Sequence, residues 1–155
     1  MSFTVEDLSD WDKYFIDIAK SVSVKSKDPN TKIGAVIVNQ HNAIISTGYN
    51  SFVRGLDDYV AERYERPEKY FWIEHAERNA IYNAARMGHS LDGSKMYLWG
   101  KLFTCIECAK GIIQSGIKTL VAPAPDLSHP KYSEDFIRAT TMYRECGVET
   151  VLYQP

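Results

Sequence analysis

The sequence is poor in cysteine, with three in 155 residues. An odd count so small excludes a disulfide framework and fits a reducing compartment. Charge of one sign is lacking too: 18 Lys and Arg against 20 Asp and Glu leave a formal net charge of −2. No global positive field draws phosphates, so nucleic acid is not an expected partner. No run approaches the roughly 18 apolar residues of a membrane span. Residues 1–8 are acidic and lack the basic and apolar regions of a signal peptide, so the expected location is the cytoplasm, without membrane contact. Internal repeats and low-complexity stretches are also missing. What remains is an ordinary globular balance, 45% apolar and 25% charged, in a length that suits one domain over residues 1–155.

Periodicity divides this domain into alternating elements. Trp11, Tyr14, Phe15, Ile18, Ala19 and Val22 recur at helical spacing, predicting a helix over 9–24 capped by Ser9 or Asp10. Asp28-Pro29-Asn30 breaks the chain. Two apolar runs, 33–38 and 43–49, flank a turn and read as a hairpin. The charged, aromatic stretch 50–70 is too long for an idle loop and reads as functional or partly helical. Beyond it, helices are expected over 74–87, 105–114 and 132–146, and strands over 95–99, 119–122 and 149–153. A hairpin followed by alternating helices and strands implies an α/β fold in three layers, α/β/α. Its sheet has five mixed strands, with the last two parallel across their connecting helix. Phe71 and Trp72 read as core packing, and Cys146 as a buried apolar residue.

The chemistry concentrates in two short motifs, His75-Ala76-Glu77 and Cys105-Ile106-Glu107-Cys108. Cys-x-x-Cys at a helix start puts two thiols on one face, where the helix N-terminus favours thiolates. Two thiolates and an imidazole suit zinc. No fourth protein ligand has a convincing spacing, and three ligands leave a place for water, as in catalytic zinc sites. Glu77 sits two residues past His75, near the metal without ligating it, where a general acid/base belongs. Alone, Cys-x-x-Cys is equally a redox motif, and His-x-Glu alone carries little information. Together, each at a predicted helix start with a strand between, they match the signature His-x-Glu…Pro-Cys-x-x-Cys of zinc nucleobase deaminases.

Over residues 26–153 the chain resembles the cytidine and deoxycytidylate deaminase superfamily, its deoxycytidylate (dCMP) branch above all. The matching stretches are Ser26-Lys27-Asp28-Pro29-Asn30-Thr31-Lys32-Ile33-Gly34-Ala35-Val36-Ile37-Val38, Gly48-Tyr49-Asn50, Arg54-Gly55-Leu56-Asp57-Asp58, Glu68-Lys69-Tyr70, His75-Ala76-Glu77-Arg78-Asn79-Ala80-Ile81 and the helix opened by Cys105. The resemblance implies a cytidine-deaminase-like fold and one catalytic zinc held by His75, Cys105 and Cys108. It implies Glu77 as proton shuttle and hydrolytic release of ammonia from a cytosine nucleotide, dCMP giving dUMP. It further implies that Asn50 contacts the sugar or base, that Arg54 meets the phosphate, that Ala76 lets the backbone approach the pyrimidine, and that Tyr132 closes over the base. Assembly into a homo-oligomer is a habit of the superfamily. Plainer readings stand beside these: a turn residue for Asn50, pairing with Asp57 or Asp58 for Arg54, packing for Tyr132.

Three departures bear on the substrate. Thr104 stands where the signature has Pro, and a threonine there suits a helix cap. Ser51 and Val53 replace the branch's usual Gly and Pro. Glu74 occupies a position where the branch often has Cys. Two other functions therefore compete with dCMP deamination. One is the same zinc chemistry on another base or nucleotide, such as a tRNA adenosine, dCTP or a modified pyrimidine nucleotide. The other is a zinc-stabilised binding module, which has no need of Glu77.

Overall fold

The computed structural model describes residues 3–155. Helix α1 (Asp10–Ser23) opens the fold, and the Ser9 hydroxyl caps it by accepting from the Asp12 N–H at 3.2 Å. Strands β1 (Gly34–Val38) and β2 (Ile44–Tyr49) form the expected hairpin. The stretch 50–74 holds two short strands, β3 (Ser51–Phe52) and β4 (Ile73–Glu74), with a 3-10 turn (Ala61–Tyr64) and a four-residue helix α2 (Lys69–Trp72) between them. Then come α3 (Ala76–Met87), β5 (Lys95–Trp99), α4 (Ile106–Gln114), β6 (Thr119–Pro123), α5 (Ser133–Glu145) and β7 (Glu149–Tyr153).

The main sheet has five strands in the order β2-β1-β5-β6-β7. β1 runs antiparallel to β2 and β5, while β5, β6 and β7 are mutually parallel. The three-layer expectation is met, with parallel pairing that also includes β5. Strand alternation sorts the side chains to two faces. Val36, Val38, Tyr97, Val121 and Tyr153 pack against Phe15, Ile16 and Ala19 of α1. Ala35, Ile37, Met96, Leu98, Leu120 and Ala122 face α3, α4 and α5.

The expected helix 74–87 starts later, at Ala76. Glu74 belongs to β4, which pairs with β3 through Ser51 opposite Glu74 and Phe52 opposite Ile73. This small ladder closes the neck of the long excursion and delivers the chain to His75 at a set angle. Helix α3 then lies so close to β2 that a Cβ on Gly48 would fall 2.3 Å from the Ala80 nitrogen and 2.5 Å from the Ala76 carbonyl oxygen. Both obstacles are backbone and cannot swing aside. Gly48→Ala is therefore expected to destabilise by about 3 kcal/mol, roughly 10 °C in Tm by calorimetry, through forced separation of β2 from α3.

Two packing expectations fail. Phe71 is 79% exposed, because the single turn of α2 faces outward at that position. Trp72 is half-buried, donating its indole N–H to Glu68 and stacking under the Arg63 guanidinium at 4.2 Å. Cys146 is exposed. Its helix buries Phe136, Ala139 and Tyr143, then ends at Glu145, and Gly147 at φ 73° turns the chain away.

Candidate active site

Two helix starts meet at the site. His75 is the N-cap residue of α3 and Cys105 that of α4. The Cys105 sulfur caps its own helix, accepting the Cys108 N–H at 3.5 Å. Thr104 does not act as the cap; its hydroxyl pairs with the Tyr143 hydroxyl at 2.7 Å in the core. His75 Nδ1 lies 3.4 Å from Cys105 Sγ and 3.4 Å from Cys108 Sγ, and the three ligand atoms are all within 4.8 Å of one another.

Ideal Zn–S and Zn–N bond lengths put neighbouring ligand atoms about 3.5 Å apart around a tetrahedron, so this donor set fits zinc. The protonation pattern agrees. Cys105 accepts from Cys108 and interacts with His75, which together hold its thiol down to about 3 against the opposing effect of burial. Cys108 is pushed well up by its bond to Cys105 and by burial. The bare pair thus carries one thiolate, and a bound cation would deprotonate the other sulfur. Burial works against an imidazolium at His75, but the Cys105 contact and the Glu77 charge outweigh it and raise its pKa.

Glu77 is almost wholly buried, and its Oε2 lies 3.5 Å from Cys108 Sγ. Burial pushes its carboxyl above the ordinary carboxylate range, with His75 opposing. A carboxyl raised in this way suits the acid/base role, in which it both takes and returns a proton.

Glu74, the departure next to the ligand, has a definite task. Its Oε1 accepts from the His75 main-chain N–H at 2.9 Å and from Arg78 Nε at 2.7 Å, and it pairs with Arg78 Nη2 at 2.6 Å. The Arg78 charge in turn bears on Cys108 and Cys105. Removing an outer partner of a ligand commonly costs 10–100-fold in metal affinity. Glu74→Ala is expected to weaken zinc binding about tenfold, by competition with a chelating dye.

The cluster opens into a concave pocket with apolar and polar walls. His75, Ala76, Glu77, Cys105, Asn50 and Tyr132 all line it, with Cys108 wholly buried behind. Asn50 spends its amide on protein: Oδ1 accepts from the Ile33 N–H at 2.9 Å and Nδ2 donates to the Thr31 carbonyl at 2.8 Å. Arg54 is not brought to this pocket. It donates to Asn83 Oδ1 at 2.7 Å and lines a separate cleft with Lys25, Lys27 and Arg86. Neither carboxylate expected beside it is its partner, since Asp58 pairs with Lys27 at 2.7 Å and Asp57 accepts from the Tyr59 N–H.

Other residues, given no role from sequence, reach the pocket. Asp28 and Lys69 form an ion pair at 2.7 Å, both nearly buried in its wall. Arg66 and Tyr70 line the mouth, and the Lys131 ammonium lies over the Tyr70 ring. Burial and then the Arg66 charge lower the Lys131 pKa. Among the described residues neither cation is paired with a carboxylate within 4 Å, so two like charges stand together at the rim. Lys69 lay in plain view as part of Glu68-Lys69-Tyr70; Arg66 and Lys131 come from separate segments with no shared motif.

Comparison with known proteins returns the same picture. Residues 9–124 match the family model described as the cytidine and deoxycytidylate deaminase zinc-binding region. Human deoxycytidylate deaminase is 40% identical over 148 residues, 92% of this chain and 79% of that protein. The mouse deoxycytidylate deaminase is 36% identical, over 97% of this chain and 83% of the mouse protein. Among solved structures, dCMP deaminase from the cyanophage S-TIM5 in complex with dCMP and dUMP superposes with a TM-score of 0.72. It is 22% identical and covers 94% of this chain and 98% of its own.

Proposed function

From the premise that the chain belongs to the cytidine and deoxycytidylate deaminase family, we propose that its reaction is dCMP + H2O → dUMP + NH3. The carrying observation is the His75-Cys105-Cys108 zinc site opening to a pocket lined by the buried Glu77 carboxyl and Arg66, with Lys131 beside its wall over Tyr70. The relatives named deoxycytidylate deaminase support the choice of nucleotide.

Zinc held by the three ligands supplies a Lewis acid that brings the pKa of water close to neutrality. The rest is the work of the chain. Glu77 takes one proton from the water that attacks C4 and delivers it to the ring nitrogen N3, then carries the second, from the new C4 hydroxyl, to the amine, which leaves as ammonia as the C4 carbonyl forms. Ala76, small and buried at the first turn of α3, lets the pyrimidine lie against backbone. Phe103, Phe136 and Tyr132 exclude water around the ring. Arg66 and Lys131 meet the 5′-phosphate, the task expected from sequence for Arg54. Asn50 acts at the sugar side by holding the Thr31 and Ile33 segment in place, with the Asp28–Lys69 pair beside it.

Residues 1–155 act as one catalytic domain, in the cytoplasm, where free thiols persist. No helix of the described residues is long and apolar enough to cross a membrane. Exposed Tyr59, Phe71 and Met87 support assembly into a homo-oligomer, which sedimentation at micromolar concentration tests.

A substrate panel tests the function. Zinc-loaded protein should release ammonia from dCMP with a kcat/KM at least about 100-fold above deoxycytidine, because the rim cations have nothing to bind in the nucleoside. Equal rates on both, or a preference for dCTP or a tRNA adenosine, would refute the reading.

A further inference from the structure

The segment that carries Lys131 and Tyr132 is held by a histidine. Residues 129–132 are His129-Pro130-Lys131-Tyr132. His129 Nδ1 accepts two main-chain N–H groups, from Lys131 at 3.1 Å and from Tyr132 at 3.1 Å. Its carbonyl accepts from the Ser133 N–H at 3.4 Å. These are the bonds of a helix N-cap, whose side chain takes the second and third N–H groups while the carbonyl takes the first intrahelical bond. Pro130 then falls at the first helical position, where its missing N–H costs nothing. Helical bonding therefore begins one turn ahead of α5.

Asn, Asp, Ser and Thr are the usual caps. An imidazole adds a ring that packs. His129 lies tilted over Tyr132 with centroids 5.1 Å apart and meets Phe136 edge-on at 6.1 Å. Both of those aromatic residues line the pocket. The other ties in this loop are local: Asp126 Oδ1 accepts from the Ser128 N–H and hydroxyl, and the Asp126 carbonyl accepts the His129 N–H at 3.2 Å. Thus one side chain, 21 residues beyond the last zinc ligand Cys108, organises the main chain that presents a cation and a phenol to the mouth.

We propose that His129 is a positioning residue for dCMP binding: its Nδ1 fixes the turn that sets Lys131 and Tyr132 over the pocket. This rests on the reading of those two residues as substrate contacts, and four variants separate the two claims. His129→Ala should raise the KM for dCMP about fivefold, the equivalent of about 1 kcal/mol, with kcat within about twofold. His129→Asn places an amide oxygen where Nδ1 was and should bring KM back to within about twofold of the parent. Lys131→Ala and Tyr132→Ala should each raise KM on their own. If these two leave KM unchanged, the contact reading has failed and the positioning claim falls with it. If they raise KM while His129→Ala does not, positioning alone is refuted. If His129→Asn is as impaired as His129→Ala, the ring and not the cap matters, which also overturns the proposal.

Discussion

Glu77→Gln is expected to cut turnover of dCMP by about 10³-fold while zinc content and melting temperature hold. The substitution keeps the shape of the side chain and removes only its capacity to exchange a proton. Among the described residues Glu77 makes no ion pair that would collapse with its charge, and its side-chain contact is with the Cys108 sulfur at 3.5 Å. Burial already biases the carboxyl toward its neutral form, so an amide fits the same space. General acid/base groups contribute typically about 10²–10⁴-fold, and a proton relay serving both water and leaving group belongs near the upper part of that range. Steady-state assay alongside metal analysis and calorimetry checks this. A variant that keeps more than about a tenth of the parent kcat would remove Glu77 from the chemistry.

The second large effect is at Cys108. Cys108→Ser should leave the protein with little bound zinc and no measurable deamination, and excess zinc should not restore it. The sulfur is wholly buried, 3.4 Å from His75 Nδ1, and its position one helical turn into α4 is set by the Cys105 cap. A serine hydroxyl is too weak an acid and too short to complete the donor set. The melting temperature should also fall, because metal affinity is part of folding free energy. Metal analysis and calorimetry read both effects. Full retention of zinc would mean that the ion is held elsewhere.

The parts of the fold that were legible in the sequence were those written locally. The apolar run 33–38 and the helical spacing between Trp11 and Val22 need no distant partner, and the observed elements agree to within one or two residues. The zinc cluster was legible for the same reason: each half is a short motif at a helix start, and only zinc chemistry explains both halves. Glu74 shows the limit. Its place in β4 depends on pairing with Ser51, 23 positions earlier, and no local pattern announces a two-residue ladder. The Asp28–Lys69 pair spans 41 positions and was equally invisible. Arg54 was assigned to phosphate by its neighbours in sequence, yet its guanidinium reaches Asn83, about two turns along α3 from the site. Arg66 and Lys131 converge from opposite sides of the zinc motifs, so their juxtaposition is a product of the fold alone. Phe71 misled because an apolar residue in one isolated turn has no periodic neighbours to show which way it faces.

The most direct measurement is the stoichiometry of a single reaction. Zinc-loaded protein, with one metal per chain verified beforehand, is incubated with dCMP in water enriched in ¹⁸O, and ammonia and nucleotide product are quantified together. Expected are equal amounts of ammonia and dUMP, with one ¹⁸O per uracil, a rate that vanishes on zinc removal and a rate that returns on zinc addition. Intact dCMP after prolonged incubation with zinc-replete protein, or ammonia without dUMP, would contradict hydrolytic deamination of dCMP at the site built from His75, Glu77, Cys105 and Cys108.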